Sequence, residues 1–286
     1  MSVPIKEDFV PQSPVSFAWL SRAWELFTAR PGVWVSACLL YFLISIGLWI
    51  LWAIPTGTLA TMQQTFRAMM NHTVPAASIQ NPYLQFAQEQ VMSVILTGIN
   101  VIFYAGFYRM ALRQSSGERI SILGLFSGFS QALSLFIVGF ILAALITLLE
   151  SLCLLLLHLL GVTAPKATSY STNIGLVFSF VFEGLLMFAP LLILDRKLAV
   201  VEALMGSVRL LHKQRIKSVW FYFVASMVGG LGVLLCGVGL LATYPVFLIS
   251  IAVGYQAMTE TPSVPSSPYG PPQVGVWPPP PVFDTK

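Results

Sequence analysis

Charge is scarce in this chain: of 286 residues, 9% are Asp, Glu, Lys or Arg, while 56% are hydrophobic. Soluble domains carry about 25% charged residues. A soluble fold of this length has no way to hide so much apolar surface, whereas a bilayer does. Cysteine is scarcer still. Cys38, Cys153 and Cys236 lie inside apolar runs without metal-ligand spacing, so they read as small packing residues and not as a disulfide framework or a metal set. No HExxH, GxSxG, Walker loop or CxxC occurs. With no nucleophile or acid–base pair legible, no enzymatic activity and no cofactor are expected. The start is also poor in apolar residues. Lys6, Glu7 and Asp8 occupy the place of a short apolar core, so the first span is expected to act as its own uncleaved insertion signal.

The sequence does have long apolar runs. Val33 to Ile54 is 22 residues without a charge, enough at about 1.5 Å per residue to cross a hydrocarbon core of roughly 30 Å. A second span is expected from about Val91 to Leu112, a third over Ala132–Leu160, and a fourth over Ile174–Leu194. Pro190 should kink the fourth. Residues 219–258 are too long for one crossing. Gly237-Val-Gly239 and Pro245 are the expected breaks, giving spans at about 219–236 and 240–258. One span plus a re-entrant hairpin is the alternative. The fold class is therefore all-α: a polytopic membrane bundle of six transmembrane helices occupying residues 14–258.

Three amphipathic surface segments accompany the spans. In the first, residues 14–31, Phe17, Leu20, Trp24 and Phe27 recur at helical spacing, and Pro31-Gly32 ends it. The second is 120–130. The third is 196–217, with Leu198, Val201, Leu204 (or Met205) and Val208 as its apolar stripe. Units of surface helix, outward span and inward span thus start near residues 14, 119 and 196, an architectural periodicity with little side-chain identity. A short helix is expected around Thr58–Met70.

Residues 1–13 are expected to be a disordered tail. So are residues 259–286, whose nine prolines include Pro278–Pro281 and favour polyproline-II stretches. A docking motif for a cytoplasmic protein partner is one use of that tail; a plain solvated tail is the other.

Charge fixes the orientation. With six spans, thirteen of the fifteen Lys and Arg fall on the side of the termini, and only Arg67 and Lys166 on the other. The positive-inside rule puts both termini in the cytoplasm. A five-span arrangement would move only the tail, whose single lysine does not decide the matter. The sequence pI of about 9.0 would point to nucleic acid in a soluble protein. Here the cations flank spans, so no nucleic-acid partner is expected. Arg196, Lys197, Arg209, Lys213, Arg215 and Lys217 instead suit anionic lipid headgroups and the bilayer surface.

A resemblance rests on Phe188-Ala-Pro190, Leu194-Asp-Arg-Lys-Leu198, Glu202-Ala-Leu204 and Ser207, with Leu125-Phe-Ser-Gly-Phe129 and Gly237-Val-Gly-Leu240…Pro245…Tyr255. These resemble a pattern in uncharacterised six-span bacterial inner-membrane proteins, the YciC-like proteins and the membrane domain attached to some glycerophosphodiester phosphodiesterases. The likeness covers roughly residues 14–258. It implies a membrane fold and the bacterial inner membrane, and brings no assigned activity. Phosphodiesterase chemistry belongs to a soluble domain that this sequence does not contain.

Ionisable and polar groups inside spans are where chemistry is sought, because a mid-bilayer charge costs several kcal/mol unless paired or neutralised. Asn100 and Glu183 each lie nine residues into parallel spans, and Glu150 lies in the long third run. With Tyr104 and Arg109 they form a candidate polar cluster, read either as a proton- or cation-binding site or as packing glue between helices. His158, His72 and His212 are isolated and read as interfacial or surface residues. Gly229, Gly230, Gly232, Gly237 and Gly239 read as close-packing positions, and Gly124-Leu-Phe-Ser-Gly128 as a common short pattern. The functional expectation is a non-enzymatic membrane-organising or partner-assisting factor. The alternative is a small transporter or channel using the intramembrane carboxylates.

Overall fold

In the computed structural model of the protein, residues 14–54, 82–235 and 237–259 are described, with five single positions between 59 and 70. Residues 1–13 and 260–286 of the expected tails, His72 and Cys236 lie outside the described residues; Thr259 closes the last helix, and of the expected Thr58–Met70 helix Leu59, Gln63, Phe66, Arg67 and Met70 are described, all helical. Among the described residues there are nine α-helices and no strand. They are α1 (Ala18–Ala29), α2 (Pro31–Ala53), α3 (Pro82–Ser115), α4 (Ala132–Leu159), α5 (Ala164–Leu186), α6 (Ala189–Arg196), α7 (Val200–Leu210), α8 (Arg215–Gly230) and α9 (Leu240–Thr259). Three 3-10 segments, Ile122–Gln131, His212–Gln214 and Leu231–Leu235, continue or join them.

Six stretches are long and apolar enough to cross a membrane: Pro31–Ala53, Ala87–Ser115, Ile122–Leu159, Lys166–Arg196, His212–Leu234 and Leu240–Thr259. The protein is an all-α, multi-pass membrane bundle. Its outer surface agrees. Leu43, Leu51, Leu148, Leu152, Leu156 and Leu159 are exposed on α2 and α4, an apolar exterior that water would not tolerate and acyl chains do. α3 and α9 lie innermost, with over half of their apolar windows buried; α2 and α4 are peripheral.

Proline positions set several helix boundaries. Arg30 is non-helical (φ −145°, ψ 58°) and Pro31 opens α2, as expected where a proline disfavours helix in the residue before it and lacks an N–H that a first turn does not need. Pro190 does more than kink its span. It is the second residue of α6, and Met187 and Phe188 separate α6 from α5. The break frees carbonyls, and the Ser207 hydroxyl of α7 donates to the Leu185 carbonyl at 2.8 Å. Pro245 does not break its helix as expected: α9 runs through it. Pro245 is the sixth residue of α9, so only one intrahelical bond is lost, and its burial among neighbouring helices holds the segment together. The Gly237 break is present, with Gly237 at φ 81°.

Residues 196–217 are not one amphipathic helix. Lys197 adopts the left-handed conformation (φ 53°) and closes α6. α7 follows, then a 3-10 turn, then the first turn of α8. The buried face of α7 is Ala203, Ser207 and Leu210, while Val201 and Met205 are exposed. The predicted stripe is thus rotated. The same holds for α1, which buries Trp19, Ala23, Leu26 and Phe27 and exposes Phe17 and Trp24. The physical reason is plain in α7, and in α1 it acts through the small partner residue that receives Trp19. Large apolar side chains gain little from facing protein when acyl chains are equally apolar, so close approach is won by small residues. Trp19 lies over Gly254 of α9, where a Cβ would overlap its ring.

Close backbone approach also joins α3 to the 122–131 segment and α4. A Cβ at Gly106 would overlap the Leu125 carbonyl, one at Gly128 the Ile102 carbonyl, and one at Gly139 would come within 2.9 Å of the Gly98 Cα. The Gly124–Gly128 pattern therefore includes a packing position.

Candidate functional site

One face of α3 carries Thr97, Asn100, Tyr104 and Tyr108, spaced by three, four and four residues, and so superposed along the helix. Opposite stand Phe180 and Glu183 of α5, Met187 at the break after it, Tyr222 and Ser226 of α8, and Leu240, Tyr244 and Phe247 of α9. Together they line a half-open cavity of about 440 Å³. Glu183 lies in the last turn of α5, just before the Pro190 break. The Tyr222 hydroxyl donates to Glu183 Oε2 at 2.7 Å. No hydrogen bond engages Oε1 among the described residues.

The phenols form a ladder beside it. Tyr244 donates to the Tyr104 hydroxyl at 2.8 Å. Tyr41 donates to Asn100 Oδ1 at 3.2 Å and lies 3.4 Å from the Tyr244 hydroxyl. Tyr41 and Tyr244 stack with centroids 5.7 Å apart, and Tyr222 meets Phe247 edge-on at 5.5 Å.

A second cavity of about 300 Å³ adjoins the first and shares Thr97, Leu142 and Glu183 with it. Its polar lining comprises Glu89, Gln90 and Ser93 of α3, Thr147 and Glu150 of α4, and Thr172 and Ser179 of α5, besides the shared Thr97 and Glu183. Gln90 donates through Nε2 to Glu150 Oε2 and accepts from the Thr147 hydroxyl at 2.9 Å. Gly175 gives Glu150 its room, since a Cβ there would overlap the carboxylate.

The structure thus brings Asn100, Tyr104 and Glu183 to one cavity and Glu150 to its neighbour. Arg109 is elsewhere. It donates to the Ser127 carbonyl at 2.8 Å and to the Ser130 hydroxyl at 3.3 Å. It borders a separate cleft with Arg113, Glu118 and Asp195, which corrects its expected place in the cluster. The reason is helical pitch: Arg109 follows Tyr108 by one residue and points about 100° away from the Asn100 face.

Among the described residues no Lys, Arg or His lines either cavity. A carboxylate in that setting is balanced only by a proton or by a bound cation, because an unpaired charge inside a bilayer is costly. What the arrangement can do chemically is take up and release a positive charge at Glu183.

The remaining expected residues fall as follows. Arg196, Lys197, Arg209, Lys213, Arg215 and Lys217 are all exposed, as are His158 and His212. Cys38 is buried, its Sγ 3.8 Å from the Leu240 carbonyl, and Cys153 is half-buried. Among the described residues no group of His, Cys, Asp and Glu is placed to hold a metal ion.

Sequence reasoning missed Tyr41, Tyr222, Tyr244 and Gln90. The three- and four-residue recurrence of polar positions in α3, and the Thr147–Glu150 pair in α4, were the signals available. It also missed a buried bridge away from the cavities. Trp34 Nε1 donates to Gln114 Oε1 at 2.9 Å, and Gln114 Nε2 donates to the Leu26 carbonyl at 2.7 Å, tying α1, α2 and α3 together. No family model, no curated protein and no solved structure matches this chain.

Proposed function

We propose that this is a non-enzymatic carrier of the bacterial inner membrane, with both termini cytoplasmic, that binds a small cation at Glu183 and passes it across the bilayer. One observation carries the reading: Glu183 stands at the junction of two adjoining cavities whose ionisable lining, among the described residues, is acidic or phenolic and never basic. A packing role for Glu183 would need only its bond to Tyr222, not two voids meeting at the carboxylate. The distribution of Lys and Arg supports the orientation. The resemblance to YciC-like proteins supports the choice of membrane.

A reading as a membrane-organising factor draws on a different observation, the six exposed cations at and around α7. They suit anionic headgroups, and a cytoplasmic protein partner at the proline-rich tail belongs to the same reading.

Reconstitution separates the two. Purified protein in vesicles should support cation- or proton-dependent flux, and Glu183→Gln should abolish it while the protein remains folded. Flux absent from the wild type, with cellular phenotype lost only on charge reversal of Arg209, Lys213, Arg215 and Lys217, would contradict the carrier and favour the organising factor. Reporter fusions at the Gln114–Arg119 turn should report a cytoplasmic location; a periplasmic location would overturn the orientation.

A further inference from the structure

Resting on the carrier reading, we infer that the Glu183 cavity is built for a small organic ammonium ion, its charge on Glu183 and its carbon substituents against the surrounding aromatic rings.

Size speaks first. A single water takes about 30 Å³ of liquid volume, so a void of about 440 Å³ far exceeds what a proton or a bare metal ion needs. It lies within the range of roughly 300–1,000 Å³ typical of small-molecule sites.

Ligand supply speaks second. A hard inorganic cation stripped of water asks for about six or more oxygens. Among the described residues this cavity holds one carboxylate, its remaining side-chain oxygens are a neutral amide and hydroxyls, and Asn100 Oδ1 uses one lone pair for a hydrogen bond from Tyr41. The Tyr104 hydroxyl likewise accepts from Tyr244.

The lining speaks third. Seven of its twenty residues are aromatic, with Tyr104, Tyr222, Tyr244 and Phe247 forming a continuous group beside Glu183. Val138 and Leu142 add aliphatic surface. Aromatic faces attract a cation through their quadrupole, most strongly where water is excluded, and surround quaternary ammonium groups in known recognition sites. An ammonium ion with apolar substituents satisfies carboxylate, rings and volume together. The Tyr222 hydrogen bond holds one carboxylate oxygen, leaving the other for the ligand.

The test uses the full chain in lipid nanodiscs, titrated calorimetrically with benzyltrimethylammonium, benzylammonium, sodium and neutral benzyl alcohol. Both organic cations should bind, with sodium and benzyl alcohol at least tenfold weaker, and Glu183→Gln should remove the cation preference. Phe247→Leu keeps apolar bulk and removes a ring, and should weaken the organic cations by about five- to tenfold. Phe42→Leu, at a half-buried lining position, is the second ring variant should Phe247→Leu fail to fold. The comparison of the two amines tells whether the site takes primary or quaternary nitrogen. Sodium binding as tight as benzyltrimethylammonium, with Glu183-dependent flux, would overturn this inference and leave the carrier standing. Ring removal without effect in a folded variant would also overturn it. If no cation binds and Glu183→Gln leaves flux unchanged, the carrier reading falls with it.

Discussion

The two halves of α3 behave differently. From Val101 to Ala111 nearly every residue is buried, and the only polar facets are Tyr104, Tyr108 and Arg109. From Ala87 to Asn100 exposed, half-buried and polar residues alternate, and this stretch faces the smaller cavity. Around the first half the bundle is sealed by glycine contacts, by Trp34 stacked on Phe107 and by the Trp34–Gln114–Leu26 bridge. Around the second half side chains stand apart and carboxylates are accommodated. Even in the packed half Tyr104 and Tyr108 keep one face to the larger cavity, so the helix passes from mostly scaffold to mostly site along its length. In a membrane protein, tight packing uses small residues and satisfied polar bridges, and space is kept where polar side chains have to meet a ligand.

The contrast is broken most severely at Gly106. Gly106→Leu drives a side chain into the Leu125 carbonyl and should cost more than about 4 kcal/mol, read as loss of a monodisperse, cooperatively melting protein in detergent. Gln114→Leu leaves the Trp34 indole N–H and the Leu26 carbonyl without their bridge. It should cost about 1–3 kcal/mol in thermal or denaturant melts while leaving cation binding at Glu183 intact; lost binding in the folded variant would mean that the two halves are not separable. Gly175→Ala displaces the Glu150 carboxylate from Gln90 and should cost about 1 kcal/mol, with altered flux as its second readout. Tyr222→Phe should be nearly silent in stability, about 0.6 kcal/mol for an average interhelical hydrogen bond in a membrane. It should still change cation affinity several-fold, because one oxygen of Glu183 loses its fixed donor.

The spans themselves were legible because crossing a bilayer imposes a length and an apolarity that few other structures need. The tight turn at Gly237 and the boundary at Pro31 were legible for local backbone reasons. The faces of α1 and α7 were not. Hydrophobic periodicity predicts which side leaves water, and in lipid that is a poor guide to which side meets protein; small residues mark the close approaches, Ala203 and Ser207 on α7 and Gly254 of α9 beneath Trp19. Asn100, Glu150 and Glu183 stood out as polar groups in apolar runs. Their partners did not, because a tyrosine in a span reads equally as an interfacial anchor, and only the packing of α2, α8 and α9 brings Tyr222 and Tyr244 to the cavity and Tyr41 to Asn100. Arg109 was misplaced because sequence proximity to Tyr104 ignores the helical turn between them.

The most direct measurement is chemical modification of native membranes with a hydrophobic carbodiimide, followed by peptide mass spectrometry. If Glu183 is a carboxyl whose charge is balanced by an exchangeable proton or cation in an accessible cavity, it should be modified, and millimolar benzyltrimethylammonium should protect it. A Glu183 that stays unmodified in folded protein while Glu89 reacts, or one that reacts identically with and without cation, would contradict the account.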